Sequence, residues 1–228
     1  MPLTALGAYD GSLSGKVYRS LKDAILRLEL EPGSILRKAE ICAQLGVSRS
    51  PVAEAVTRLA GEGLVDVIPQ AGTFVSRFSM VEIREGAFLR EALELAAVEM
   101  VAATITEAQL VPLRRNLRIQ AALIDDGDFP GFYRMDAQMH ELILSYTGFQ
   151  RLAQIASTSW LQVDRARQLV LPNPHRVAET LEEHQRIIAA LEAREVEAAR
   201  AATRAHLRQL LHYLEPLERA HPNYFEAR

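Results

Sequence analysis

Three histidines and one aspartate in the second half of this 228-residue chain have the types and spacing of a metal-binding group. Asp136 and His140 stand four apart in the stretch Phe132–Ile143, which has helical periodicity. Residues at that separation share a helix face one turn apart. Phe132, Met135, Met139 and Ile143 lie on the same face, so two ligand-type side chains point toward a core. His184 shares an apolar stripe with Leu181, Ile187, Ile188 and Leu191, and His206 shares one with Ala199, Ala202 and Leu210. A break at Arg194-Glu195-Val196 predicts an antiparallel helical hairpin in which each histidine is 11 residues from Glu195. At about 1.5 Å of rise per residue, both reach the same height. One carboxylate and three imidazoles suit Zn²⁺ first, with Ni²⁺, Mn²⁺ or Fe²⁺ as alternatives. A metal accepting five or six ligands keeps positions open, which a small organic acid could fill. The competing reading is a set of core polar residues satisfied by hydrogen bonds. His175, His212 and His221 fall in loops, in a tail or off the stripe, and are expected at the surface.

The elements that must position these residues read as helix throughout. The spacing predicts helices near 80–103, 106–126, 129–147, 149–170, 177–193 and 195–215, with breaks at Thr104-Ile105-Thr106, Asp125–Asp128, Thr147-Gly148 and Pro172-Asn173-Pro174. An all-α domain over 80–215 follows, large enough for its own core. Residues 216–228 are expected to be a C-terminal tail.

The front of the chain has a different signature. Val17, Leu21, Ile25 and Leu28 form one stripe over a helix at 15–30, stopped by Pro32-Gly33. A second helix is expected at 37–45 and a third at about 49–63. Between them lies Leu45-Gly46-Val47-Ser48-Arg49-Ser50-Pro51-Val52. Gly46 supplies a tight turn, Ser48 or Ser50 a cap, and Pro51 a residue tolerated in a first helical turn. Arg49 stands at the entrance of the third helix, where a side chain can reach a base edge or phosphate. The β-branched runs Leu64–Ile68 and Thr73–Val75 flank the turn Pro69-Gln70-Ala71-Gly72 and predict a hairpin. The fold class is therefore mostly α: an N-terminal winged helix-turn-helix (three helices plus a β-hairpin) over 15–76, joined to an all-α helical bundle. Residues 1–14 read as a frayed N-terminal tail.

Composition agrees with that division. Hydrophobic residues make up 49% and charged residues 24% of the chain, with aromatics at 6%, which favours helices and gives material for a core. Net charge is −3, but residues 1–78 hold nine Lys/Arg against eight Asp/Glu and the remainder 17 against 21. A mildly basic front and an acidic back suit a DNA module joined to something else. The single Cys42 excludes an internal disulfide and fits a reducing compartment. No secretory signal and no membrane-length apolar run is present, so the expectation is a cytoplasmic protein without a membrane partner.

The order Leu21…Ile25, Pro32-Gly33, Gly46–Val52, Glu54-Ala55, Leu59, Gly63-Leu64-Val65 and Gly72-Thr73-Phe74-Val75 resembles the winged helix of GntR-type bacterial transcription regulators. The helical part resembles the FCD ligand-binding domain of their FadR-like subgroup, and the likeness covers about residues 15–215. The resemblance implies a regulator, a repressor or an activator, that binds a double-stranded DNA operator; a homodimer is expected because one recognition helix reads only a few base pairs, and a small carboxylate effector because the metal keeps positions open. It implies that Asp136, His140, His184 and His206 hold a divalent metal. It also implies that Arg90, and with less support Arg167, face an anionic effector, although each has an intrahelical acid to pair with, Glu94 and Asp164. It points to Arg49 as a DNA-contacting position, and the candidate DNA-binding residues beside it are Arg37 and Lys38 at the start of the second helix, Ser48 and Ser50 at the start of the third, and Gly72 and Thr73 in the wing. Ala39, Ala53 and Ala71 stand where relatives carry basic residues, so no known operator transfers; Arg37, Lys38, Ser48, Ser50 and Arg58 could compensate.

Two other classes compete with a ligand-responsive regulator. A metal-dependent enzyme would need a general base beside metal-bound water. Glu141 follows His140 but faces another side of its helix, and no His-Glu-x-x-His motif occurs; the chain is expected not to be an enzyme. An interaction protein that has lost specific DNA binding would fit the three alanines.

Overall fold

A computed structural model describes residues 3–170 and 174–226. Its contacts divide it into two compact units: residues 1–82, 164–168 and 217–228 form one, and residues 83–163 and 169–216 the other.

The first unit is built on three helices, α1 (Leu13–Leu26), α2 (Lys38–Leu45) and α3 (Arg49–Gly61), and an antiparallel hairpin of β1 (Val65–Ile68) and β2 (Gly72–Val75). Val65 pairs with Val75 and Ile68 with Gly72. Ser12 caps α1 by accepting from Gly15 N at 3.2 Å. That helix ends at Leu26, short of the predicted residue 30, because the chain turns with Leu28 at φ +57° and Leu30 N bonds back to Ala24 O. The buried leucine beyond the helix is Leu30, not Leu28. Gly46 closes α2 at φ +65°, ψ +35°, the left-handed conformation that glycine adopts without a Cβ penalty. Val17, Leu21, Ile25, Ile41, Val52, Leu59 and Leu64 form the fully buried apolar core. The N-terminal residues are not frayed: Leu6–Ala8 form a 3-10 turn, Thr4 O accepts from Ser20 Oγ, and the Tyr9 hydroxyl donates to Asp23. The C-terminal residues dock as well. Phe78 N donates to Tyr224 O, Glu226 N to Phe78 O, and the two phenyl rings of Phe78 and Phe225 lie 5.4 Å apart.

The second unit is helical: α4 (Met80–Thr104), α5 (Glu107–Asp125), α6 (Phe129–Ser145), α7 (Gln150–Ser159), α8 (Leu161–Val170), α9 (Pro174–Glu192) and α10 (Val196–Ala220). The start of α4, the middle of α8 (164–168) and the end of α10 belong to the first unit. A reciprocal capping box of Thr106 and Gln109 starts α5, and Asp128 caps α6 by accepting from Gly131 N at 2.8 Å. The single helix expected over 149–170 is broken at Trp160, whose φ of −119° is no longer helical. The expected break at Pro172-Asn173-Pro174 lies outside the described residues except that Pro174 begins α9. Val98, Val101, Leu113, Met139, Ile143, Ile187, Ile188, Leu191 and Ala199 join α4, α5, α6, α9 and α10 in one apolar cluster. Among the described residues no helix is long and apolar enough to cross a membrane.

Candidate metal centre and nucleic-acid interface

The turn between α9 and α10 sets the geometry of the inner site. Arg194 adopts φ +56°, its N–H bonds to Leu191 O, and Glu195 N–H bonds to Ala190 O. This pair of hydrogen bonds is a Schellman closure, here with arginine rather than glycine in the left-handed position. It folds the two helices back on each other and brings the rings of His184 and His206 to 4.7 Å. From α6, Asp136 and His140 enter the same space. One donor atom from each of Asp136, His140, His184 and His206 lies within 4.8 Å of the others, and all four residues are buried.

Each imidazole is held from behind. His140 Nδ1 lies 2.6 Å from Glu94 Oε2, His184 Nδ1 2.8 Å from Gln120 Oε1, and His206 Nδ1 2.7 Å from Glu183 Oε2. These oxygens accept, so each Nδ1 donates and a neutral ring presents a bare Nε2 on the inner side. The inner atoms are close: His140 Nε2 to His206 Nε2 is 3.2 Å, and His184 Nε2 to Asp136 Oδ1 is 3.2 Å. Lone pairs facing at that distance require either a proton or a cation between them. Burial, followed by the neighbouring His184 and His140, pushes His206 well below the ordinary imidazole range and favours its neutral form. Three imidazole nitrogens and a carboxylate oxygen are the donor set of Zn²⁺ and its first-row neighbours. On this chemistry the residues fit a divalent metal.

The two carboxylates behind the rings are themselves paired. Arg90 Nε donates to Glu94 Oε1 at 2.5 Å, and Arg176 makes a bidentate pair with Glu183 at 2.7 Å for each bond. Burial alone would raise the Glu94 carboxyl. Arg90 and His140 override it and hold the group well below the usual carboxylate range. Arg90 thus sits on its expected inward face, bonded to Glu94 within its own helix and 5.7 Å over the Trp160 ring. Arg167 pairs with Asp164 at 3.6 Å in the segment that clusters with the first unit. The fully buried guanidinium of α8 is Arg165, which the sequence reading passed over. It donates to Ser76 O at 2.6 Å, lies over Phe78, and is lowered by burial to about 10. Asn116, Gln120 and Glu183 were also passed over; Glu94 was expected only as a partner for Arg90, which it is, and not as the acceptor behind His140. Asn116 and Gln120 carried a signal, since they continue the inward spacing of Leu110 and Leu113. Glu141 is exposed, and so are His175, His212 and His221.

The outer candidate site lies on the first unit. Ser48 is the N-cap of α3, without a side-chain cap bond, and Arg49 is the first residue of that helix. Arg37, Lys38, Ser48, Arg49 and Ser50 are exposed. Arg37 reaches Glu40 at 3.5 Å across water-exposed surface. Val52, Ala55, Val56 and Leu59 bury the opposite face of α3, so its polar face is turned to solvent. Thr73 departs from its expected role. It alternates inward with Val75 along β2 and is 6% exposed, so the available wing surface is the tip at Pro69, Gln70 and Ala71. Gly72, at φ +136°, is half-buried against Ile35.

Residues 85–209 match the FCD domain, and residues 13–75 match the family described as bacterial regulatory proteins, gntR family. The chain belongs to the GntR family of DNA-binding transcriptional regulators and carries their FCD domain. It is 34% identical over 209 residues to an HTH-type transcriptional regulator in an unstable DNA locus of Streptomyces ambofaciens, covering 92% of this chain and 88% of that one. It is 30% identical over 210 residues to the HTH-type transcriptional repressor RspR of Escherichia coli, covering 92% of each. A putative GntR regulator from Rhodococcus sp. RHA1 superposes with a TM-score of 0.77 at 26% identity, over 88% of this chain and 98% of that one. These families and relatives are regulators, not enzymes.

Proposed function

We propose that this regulator binds its operator as a homodimer and that a small carboxylate, bound at a divalent metal in the helical unit, controls its operator affinity. The metal would be held by His140, His184 and His206 through Nε2 and by Asp136 through a carboxylate oxygen. Zn²⁺ is the first choice; Ni²⁺, Mn²⁺ and Fe²⁺ suit the same donors. The observation that carries the reading is the convergence of four buried donors with every imidazole Nδ1 already engaged. Core histidines that merely satisfy one another have no need of three separate acceptors behind them. Four protein donors leave room on a five- or six-coordinate ion for an effector carboxylate. Arg90, tied into the site through Glu94, adds positive charge on that side.

DNA is read by the exposed entrance of α3 around Arg49, with Arg37, Lys38, Ser48 and Ser50 beside it and the wing tip near Gly72. Two such units are needed because one recognition helix spans only a few base pairs. An effector changes operator affinity only if it binds the DNA-competent and incompetent arrangements differently. A relative named as a repressor at 30% identity supports repression as the sense of control.

The test is elemental analysis of protein purified without chelator, joined to a titration of a fluorescent operator with and without a panel of mono-, di- and tricarboxylates. About one first-row metal ion per chain and a carboxylate-dependent shift in operator affinity are expected. Metal-free protein that still answers to a carboxylate would overturn the role of the metal. Operator affinity indifferent to every acid would overturn the effector class.

A further inference from the structure

The three imidazoles are held by two different chemistries. His140 and His206 rest on carboxylates, Glu94 and Glu183, which can only accept. A carboxylate behind an imidazole enforces Nδ1–H whichever oxygen it offers. His184 rests on Gln120, a neutral amide that could face the ring with either its oxygen or its nitrogen. An amide enforces nothing until something else fixes which way round it lies.

That fixing lies one turn earlier on α5. Asn116 Nδ2 is 2.9 Å from the main-chain oxygen of Met135 and 3.0 Å from Gln138 Oε1. The main-chain carbonyl can only accept, so the nitrogen of Asn116 must point to α6 and its oxygen the other way. That oxygen accepts from Gln120 Nε2 at 2.7 Å. The Gln120 oxygen is thereby turned to His184 Nδ1 at 2.8 Å. Reversing Gln120 alone would set its oxygen against that of Asn116. Reversing both would set the Asn116 oxygen against the Met135 carbonyl. Asn116 and Gln120 are 2% and 0% exposed, so water cannot relieve either clash.

We infer that Asn116 and Gln120 form a directional amide relay that starts from the Met135 carbonyl and holds His184 in the Nδ1–H tautomer, so that its Nε2 is presented as a metal ligand. The inference rests on the metal reading above. Both residues are positioning residues: neither touches the metal. The relay explains why two amides occupy the inward stripe of α5 where leucines precede them. Gln120 is the neutral member of the three acceptors, whereas Glu94 and Glu183 are carboxylates paired with Arg90 and Arg176.

The experiment has two arms. In the first, metal-free protein labelled with ¹⁵N-histidine is studied at pH 8 by two-bond proton–nitrogen correlation. His184 is expected as the Nδ1–H tautomer in the wild type, and as a mixture or the other tautomer in Gln120→Met. In the second, Zn²⁺ is titrated against a chromophoric chelator. Gln120→Met is expected to bind about 10- to 100-fold more weakly. Asn116→Leu, which frees Gln120 to rotate, is expected to lose less, and Gln120→Glu, which restores an obligate acceptor, to keep most of the affinity. Circular dichroism of each variant checks that the fold is retained. Unchanged Zn²⁺ affinity in a folded Gln120→Met, or an Nε2–H tautomer at His184 in the wild type, would overturn the relay. If the wild type itself took up no Zn²⁺, the metal reading would fail, and the tautomer measurement would still judge the relay.

Discussion

The two candidate sites of this chain are built on opposite principles. The proposed DNA-reading surface is local, exposed and sparsely bonded: Ser48, Arg49 and Ser50 are neighbours in sequence, turned to water. The candidate metal centre is assembled from α6, α9 and α10, supported by α4 and α5, and is buried throughout. A surface that must meet phosphate and base edges needs charges free to move. A pocket that must hold a cation in a fixed geometry needs each ligand locked by a neighbour, because an unmet polar group in the core costs about 1–3 kcal/mol. Substitutions should therefore act on binding in the first region and on stability and metal content in the second.

The largest contrast is expected between two ion pairs. Glu94→Leu leaves the Arg90 guanidinium and the His140 Nδ1 without their acceptor in the core. Loss of about 3–5 kcal/mol is expected in urea unfolding of metal-free protein. Arg37→Ala breaks an exposed pair with Glu40 and should stay within about 0.5 kcal/mol. Equal effects would break the comparison.

Next in size is the metal itself. Zn²⁺ at about 100 times its dissociation constant should stabilise the wild type by about 2.7 kcal/mol. In His206→Ala or His184→Ala that metal-induced rise in melting temperature should vanish, with zinc absent by elemental analysis. A variant that keeps both would remove its histidine from the ligand set.

Arg49→Ala is expected to lose specific operator binding, about 1–3 kcal/mol for one guanidinium on a base edge, with an unchanged melting temperature. Fluorescence anisotropy on a duplex selected by the protein should also show a flatter salt dependence. Full affinity in the mutant would move the reading surface elsewhere on the unit.

The smallest effect per step is in pH. His206 titrates well below its ordinary value when folded, chiefly through burial and then through His184 and His140. The unfolded chain, with an imidazole near 6.5, therefore takes up a proton that the folded chain refuses. Stability of the metal-free protein should fall as pH drops below about 6.5, by up to about 1.4 kcal/mol per pH unit from this group. His206→Gln should flatten that slope; an unchanged slope would assign it to other groups.

Much of the first unit was legible because its signals are local. Gly46, Ser48 and Pro51 punctuate α2 and α3, and the β-branched runs around Pro69–Gly72 mark the hairpin. The errors there came from contacts the sequence does not announce. The N-terminal residues look frayed by composition, yet the Thr4 carbonyl and Tyr9 hydroxyl find partners on α1. Thr73 belongs to a matching motif, but strand alternation buries it. In the second unit the break at Trp160 carries no glycine or proline to betray it.

The sequence by itself determined which residue types lie on which helix faces, and with the Arg194 turn it set His184 against His206 at one height. Periodicity and rise per residue are properties of the backbone, so they can be counted. Only the tertiary structure decided what stands behind each imidazole: Glu94 behind His140, Glu183 behind His206, and Gln120 behind His184. Those partners come from different helices at angles no periodicity records, and hydrogen-bond direction exists only once two groups are in contact.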